Sequence, residues 1–268
     1  MDEAVFDYDR GGELGIRQVG QLQEAEYSRR LFTYLTPGGV RRAAEIFSPV
    51  GEGPFAAILY VHWLAETPDA NRTQFEDQAL EMAKRGAVCL LVEAMWSERD
   101  WFIKRTQEED FDNSVRQVIE LRQAMDLLLS QPGVDAGRFA YVGHDFGAMY
   151  GTVTGAVDPR PTCYVLMAAT PRFSDWYLYY PKLEGEARQA FIDRMAKIDP
   201  ITHIASLSPR PVFFQFATDD EHVSKERAVE FSGAAGEPKK VGWYEARHEL
   251  NEEAKKDRMA WVIEQLGL

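Results

Sequence analysis

From Phe55 onward the chain alternates between short apolar runs and amphipathic stretches, and that rhythm restricts its fold more than any other feature. "FAAILYVH" is continuously apolar, as a strand covered on both faces requires. A helical pattern over about 72–85 leads to the strand-like "AVCLLVE", and another over about 112–130 leads to "RFAYVG". The alternation continues through "TCYVLMAA", "PVFFQFA", a helix near 224–231, "KKVGWYE" and a last amphipathic helix from about Asn251. This succession predicts an α/β fold with a mainly parallel central sheet and helices on both faces. Upstream, "YSRRLFTYL" and "VRRAAEIFS" flank "TPGG" and predict two strands around a turn. Residues 1–26 are acidic and weakly patterned and are read as a peripheral lead-in, with 27–268 as one domain.

A formal net charge of -13 over 268 residues argues against nucleic acid and anionic membranes as partners, because a phosphate-binding face is basic. A small-molecule substrate is expected instead, and exposed aromatics are compatible with a homodimer. The apolar run beginning at Phe55 is too short to span a bilayer, and "MDEAVFDYDR" lacks the pattern of a signal peptide. Cys89 and Cys163 each lie in an apolar run and are expected as buried free thiols, which suits a reducing cytoplasm. No cysteine–histidine cluster has metal-site spacing and no glycine-rich loop ends in lysine, so neither metal nor cofactor is expected.

In parallel sheets, ligands bind beyond the carboxyl ends of the strands. His62, Asp145, Asp220 and His248 all follow strand-like runs. The stretch "YVGHDFGAMYG" has the spacing of a nucleophile elbow, with Gly143 and Gly147 on either side of Asp145. A sharp strand-to-helix turn brings its centre against neighbouring backbone, and glycine two residues away on each side avoids the clash. The bland alternative is a glycine-assisted turn with Asp145 as a helix cap. The downstream order favours the elbow: "FATDDEHVS" places an acid after a strand, and "YEARHELNEE" places His248 after the next. Nucleophile, acid, histidine is the order of a catalytic triad on this kind of sheet.

Together, "LYVH", "YVGHDFGAMYG", "IDPITHI", "FATDDEHVS" and "YEARHELNEEAKKDRMAWV" resemble the α/β-hydrolase superfamily, and within it the dienelactone-hydrolase-like branch, over most of the chain from about Tyr27. The resemblance implies the α/β-hydrolase fold with a short helical insertion, about 171–209, over the active site. It implies Asp220 as the triad acid, with Asp219 as the alternative. It also implies oxyanion donors at the backbone N–H of Phe146 and of Trp63 or Leu64. His62 is expected to be structural, His144 to point away from the elbow, and His203 and His222 to face solvent or hold loops. Two positions depart from the branch: Asp145 stands where Ser or Cys is usual, and Trp63 stands where a glycine usually follows the histidine.

An aspartate is already ionised at neutral pH. It attacks esters poorly, since the product would be an anhydride, but it suits displacement at saturated carbon to give an alkyl-enzyme ester. His248, oriented by Asp220, would then activate water for hydrolysis. Epoxide hydrolases and dehalogenases resemble this arrangement. Trp96, Trp176, Tyr177, Tyr179 and Tyr180 are the candidate pocket residues: tyrosines could protonate an epoxide oxygen, and the indoles of Trp63 and Trp176 could hold a halide. The His-Gly-x-Pro motif of many epoxide hydrolases, the tryptophan after the nucleophile of many haloalkane dehalogenases and the Asp-Arg-x-x-x-Arg pattern for haloacids are absent. Two alternatives stay open: ester or lactone hydrolysis with Asp145 as general base, and a non-catalytic binding protein that has lost its serine.

Overall fold

The apolar runs pair into one sheet. The computed structural model describes residues 3–64 and 71–268. Among them, β1 (Arg17–Gln23), β2 (Tyr27–Leu35), β3 (Arg41–Pro49), β4 (Phe55–Val61), β5 (Ala87–Val92), β6 (Val134–His144), β7 (Cys163–Met167), β8 (Val212–Ala217) and β9 (Lys239–Tyr244) lie in the order β1-β2-β3-β5-β4-β6-β7-β8-β9. The strands from β4 to β9 are parallel to one another, whereas β1, β2 and β3 join by antiparallel pairing. The helices are α1 (Glu76–Lys84), α2 (Trp101–Lys104), α3 (Gln107–Leu129), α4 (Phe146–Val157), α5 (Ser174–Tyr177), α6 (Gly185–Met195), α7 (Pro200–His203), α8 (Lys225–Ala234) and α9 (Glu252–Leu266).

Side chains that alternate along the central strands go to two separate cores. Leu59, Leu90, Tyr141 and Leu166 pack with Val118, Leu121 and Met125 of α3 and with Met149 and Tyr150 of α4. Ile58, Leu91, Val142 and Val165 face the other way, onto Ala79 and Met82 of α1 and Trp261 and Val262 of α9. Both strand faces are therefore dry, which is why these runs show no polar alternation. Each fully buried leucine or isoleucine contributes about 1.5–3 kcal/mol. Cys89 and Cys163 sit buried and unbridged in β5 and β7.

The lead-in looks different in the structure. Residues 17–23 form β1, the outer strand of the sheet, and its weak patterning follows from an exposed edge with little of the strand buried. Phe6 is buried, and its carbonyl accepts from Arg122 of α3.

From β4 the chain moves to β5 on one side and then returns to β6 on the other. The connection after β4 leads to α1 on one face, while β6 leads to α4 on the opposite face. Such a reversal opens a crevice at the carboxyl ends of β4 and β6. Residues 62–64 and Asp145 meet there.

Candidate active site

Strand β6 ends at His144 and α4 begins at Phe146, so Asp145 alone turns the chain, with φ 53° and ψ -118°. Positive φ is uncommon for a residue with a side chain, and such strain persists only where the surroundings fix it. Here the Asp145 N–H donates to the Met167 carbonyl at 2.9 Å, while its carbonyl accepts from Ala148 and Met149. The flanking glycines permit the approach: a Cβ on Gly143 would lie 2.5 Å from the Gly147 carbonyl oxygen, and one on Gly147 would fall on the Val61 carbonyl.

The turn delivers the Asp145 carboxylate into a nearly dry site, 1% exposed. Its Oδ2 accepts from the Leu64 backbone N–H at 3.2 Å, and the nearby Phe146 N–H also favours the charged carboxylate. Its Oδ1 has no hydrogen-bond partner among the described residues. Burial pushes the pKa of Asp145 up to about 6, against the opposing pull of His248 and the two backbone N–H groups.

His248 follows β9, and its Nδ1 lies 3.0 Å from Asp220 Oδ2 and 3.1 Å from Oδ1. Asp220 Oδ1 also accepts the backbone N–H groups of His222 and Val223. Burial opposes charge on Asp220, but the His248 bond and these amides hold its pKa below the usual carboxylate range. Burial likewise opposes charge on His248, yet the Asp220 hydrogen bond and the carboxylates of Asp145 and Asp220 raise its pKa above the ordinary value. With Nδ1 occupied, Nε2 is the nitrogen left for proton transfer; it is buried and has no partner among the described residues. Asp219 instead gives its backbone N–H to Ala246.

The loop after β4 supplies one donor, not two. The Trp63 N–H, the alternative to that of Leu64, donates to Gln74 Oε1 at 3.0 Å. Gln74 Nε2 lies 2.5 Å from His144 Nδ1, and His144 Nε2 lies 2.9 Å from the His248 carbonyl. The carbonyl can only accept, so His144 carries its proton on Nε2 and takes the Gln74 amide on Nδ1. Burial keeps this ring neutral, far below the ordinary histidine pKa. His144 thus faces away from the elbow and ties the loop after β4 to the loop that carries His248. Its ring packs against those of Trp63, at 5.0 Å, and His248, at 5.3 Å, which also stack on each other at 6.2 Å. Nothing in the local sequence around Gln74 marks it for this role; only the tertiary arrangement shows it.

His62 is fully enclosed. Its Nδ1 donates to the Trp63 carbonyl at 2.6 Å, and Ser97 Oγ lies 2.9 Å from Nε2. Burial lowers its pKa to about 4. Three aromatic expectations change here. Trp96 is 1% exposed and its indole N–H donates to the Trp63 carbonyl, so it props the loop from behind. Tyr177 is fully buried with its hydroxyl 2.5 Å from that of Tyr150. His222, expected in solvent or in a loop-holding role, instead packs its ring 5.0 Å from His248 and 4.9 Å from Trp176. Trp176, in the insertion between β7 and β8, meets His248 edge-on at 5.9 Å, and the half-exposed Tyr179 packs against it at a tilt. Tyr180 is half-exposed. The indole N–H groups of Trp63 and Trp176 are buried and unpartnered among the described residues. His203 Nε2 lies 3.1 Å from the Lys197 carbonyl, which holds a distant loop.

No protein-family model matches the chain, and no curated protein matches it. Solved structures do. An acetyl xylan esterase from Paenibacillus sp. R4 superposes with a TM-score of 0.79 at 14% identity, covering 97% of this chain and 90% of that one. Acetyl xylan esterase 1 from Thermoanaerobacterium sp. JW/SL YS485 gives 0.76 at 14% identity over 98% and 91%. The α/β hydrolase GrgF from Penicillium sp. sh18 gives 0.68 at 14% identity over 90% and 99%. The architecture is the α/β-hydrolase fold.

Proposed function

We propose that the protein is a hydrolase that cleaves a bond from saturated carbon to an anionic leaving group, a carbon–halogen bond in the first instance, through a covalent ester on Asp145. The observation that carries this reading is the asymmetry of one carboxylate: Oδ2 is held by the Leu64 backbone N–H, while Oδ1 is buried and unpartnered among the described residues. In a serine esterase of this fold the donor pocket receives the substrate's carbonyl oxygen. Here a side-chain oxygen of Asp145 already fills it, which disfavours an incoming ester and favours attack by the other oxygen.

In the first step, Oδ1 forms a bond to carbon as the bond to the leaving group breaks, and the halide departs with the electron pair. The indole N–H groups of Trp63 and Trp176 suit a halide, which accepts hydrogen bonds and needs no proton. An epoxide needs a proton donor, and the Tyr177 hydroxyl is engaged with Tyr150. In the second step, His248 Nε2 takes a proton from water and hydroxide adds to the Asp145 carboxyl carbon. Oδ2 becomes the oxyanion against the Leu64 and Phe146 N–H groups. Collapse breaks the bond to Oδ1, which leaves in the alcohol with the proton from His248, and the carboxylic acid left behind, now holding a water oxygen, releases its remaining proton to solvent to restore the carboxylate.

A second reading has its own support. The likeness to two acetyl xylan esterases and a carboxylate with a pKa of about 6 suit ester hydrolysis with Asp145 as general base. Peptide mass spectrometry separates the two. A His248→Ala variant treated with alkyl halides, epoxides and activated esters should trap an alkyl group on the Asp145 peptide. Ester turnover by the unaltered protein, with no adduct on the variant, would transfer the assignment to the second reading.

A further inference from the structure

We propose that a second site, in the cavity between the β2–β3 turn, the β5–α3 connection and α3, binds a small organic carboxylate. The cavity encloses about 340 Å³ and is lined by five cationic side chains, Arg42, Arg99, Lys104, Arg105 and Arg116, against two carboxylates, Glu98 and Glu120. In a chain of net charge -13 such a local excess of positive charge sets up a field that gathers anions. Both carboxylates are bound to Arg42, at 2.8 and 3.2 Å, and Lys104 pairs with Asp100 at 3.4 Å, so the unneutralised charge is that of Arg99 and Arg116. Neither Arg99 nor Arg116 meets a carboxylate among the described residues; Arg116 bonds to the neutral side chain of Asn113.

Arg105 gives the cavity a fixed floor. It is paired with Asp110 and donates to the carbonyls of Tyr177, at 2.5 Å, and Tyr180. Its guanidinium lies between the rings of Phe102, at 4.7 Å, and Tyr177, at 4.5 Å. Its Nε is buried and has no partner among the described residues. Its side chain is 1% exposed, so it stiffens the wall behind the cavity rather than meeting the ligand, and a rigid wall avoids ordering losses on binding.

The remaining wall selects the kind of anion. Trp101, Met95 and Val40 are apolar, so a ligand with a carboxylate head and a hydrocarbon or aromatic body matches the cavity better than inorganic phosphate does. The adjoining cavity across Gly38 and Arg116 is lined by Asp7, Asp9 and Glu13 and would repel the same ligand, which confines binding to the first. The triad residues line neither cavity, so this inference does not depend on the reaction assigned to Asp145.

Calorimetric titration of the full chain with benzoate, hexanoate and inorganic phosphate tests it. Benzoate or hexanoate should bind, and the double variant R99A/R116A should weaken that binding by about tenfold, since two exposed cations contribute up to about 1 kcal/mol each. Circular dichroism checks that the variant folds. If it does not, Lys104→Glu, at a side chain 68% exposed, provides the same comparison. Binding of phosphate alone, binding unchanged in the folded variant, or no binding of any of the three at millimolar concentration would each overturn the proposal.

Discussion

Replacing Asp145 by asparagine should make the protein more stable at neutral pH and abolish its turnover. Burial raises the pKa of this carboxyl from 3.8 to about 6, so the folded chain binds the proton more tightly than the unfolded chain does. Stability therefore declines as pH rises through the window from about 4 to 6, and above it the ionised carboxylate is present at full cost. Raising a pKa by one pH unit costs the charged form about 1.4 kcal/mol, which puts the whole penalty at order 3 kcal/mol. Asparagine keeps an oxygen for the Leu64 N–H and carries no charge. At pH 7.5 and low salt the variant should melt roughly 5–10 °C above the parent. The gain should shrink as pH falls through 6 and vanish near pH 4. Thermal and urea unfolding of both proteins at pH 4, 6 and 7.5 gives the comparison. Equal midpoints at pH 7.5, or a gain of the same size at every pH, would refute the link between burial of this charge and function.

Other outcomes follow from the same geometry. Attack requires ionised Asp145, so kcat/KM for an alkyl halide should fall below pH of about 6, where an ordinary aspartate would hold until about 4; a pH–rate profile locates the limb. His248 acts as a base only when neutral and its pKa is raised, so acidification should slow hydrolysis of the enzyme ester and increase the trapped fraction seen by rapid-quench mass spectrometry. Gln74→Leu removes the acceptor for the Trp63 N–H and the donor to His144. It should lower stability by about 1–3 kcal/mol and kcat by roughly tenfold, with KM changed less, in denaturant melts and steady-state assays. Gly147→Ala drives a methyl into backbone carbonyls of residues 61 and 62 and should destabilise by about 3 kcal/mol, measurable by urea unfolding.

The periodicity of the central strands exposed the fold, because two dry faces leave runs such as "FAAILYV" without polar interruptions. The elbow glycines and the spacing of Asp220 and His248 were legible for a related reason: backbone crowding and strand ends constrain residue type locally. The family resemblance pointed to Asp220 ahead of Asp219, and Asp220 is the residue that meets His248. What stayed hidden depends on side chains brought together from distant segments. Gln74 captures the Trp63 N–H, Tyr177 turns inward to Tyr150, and Trp96 backs the loop after β4. The edge strand β1 escaped notice because an exposed strand has little apolar side to mark it.

The donors facing position 145 are main-chain N–H groups of residues 64 and 146, and the base and its partner stand on separate loops. None of these is supplied by the side chain at the turn. On the proposed function the scaffold is chemically modular: the pocket that steadies negative charge and the machinery that activates water persist when the attacking atom changes from a hydroxyl oxygen or thiol sulfur to a carboxylate oxygen. A serine at this position would leave the donor pocket open to a substrate carbonyl, whereas the aspartate fills it with its own oxygen. In the proposed reaction, one side chain at a strained turn diverts a hydrolytic apparatus from acyl transfer to alkyl transfer, with no change of fold required.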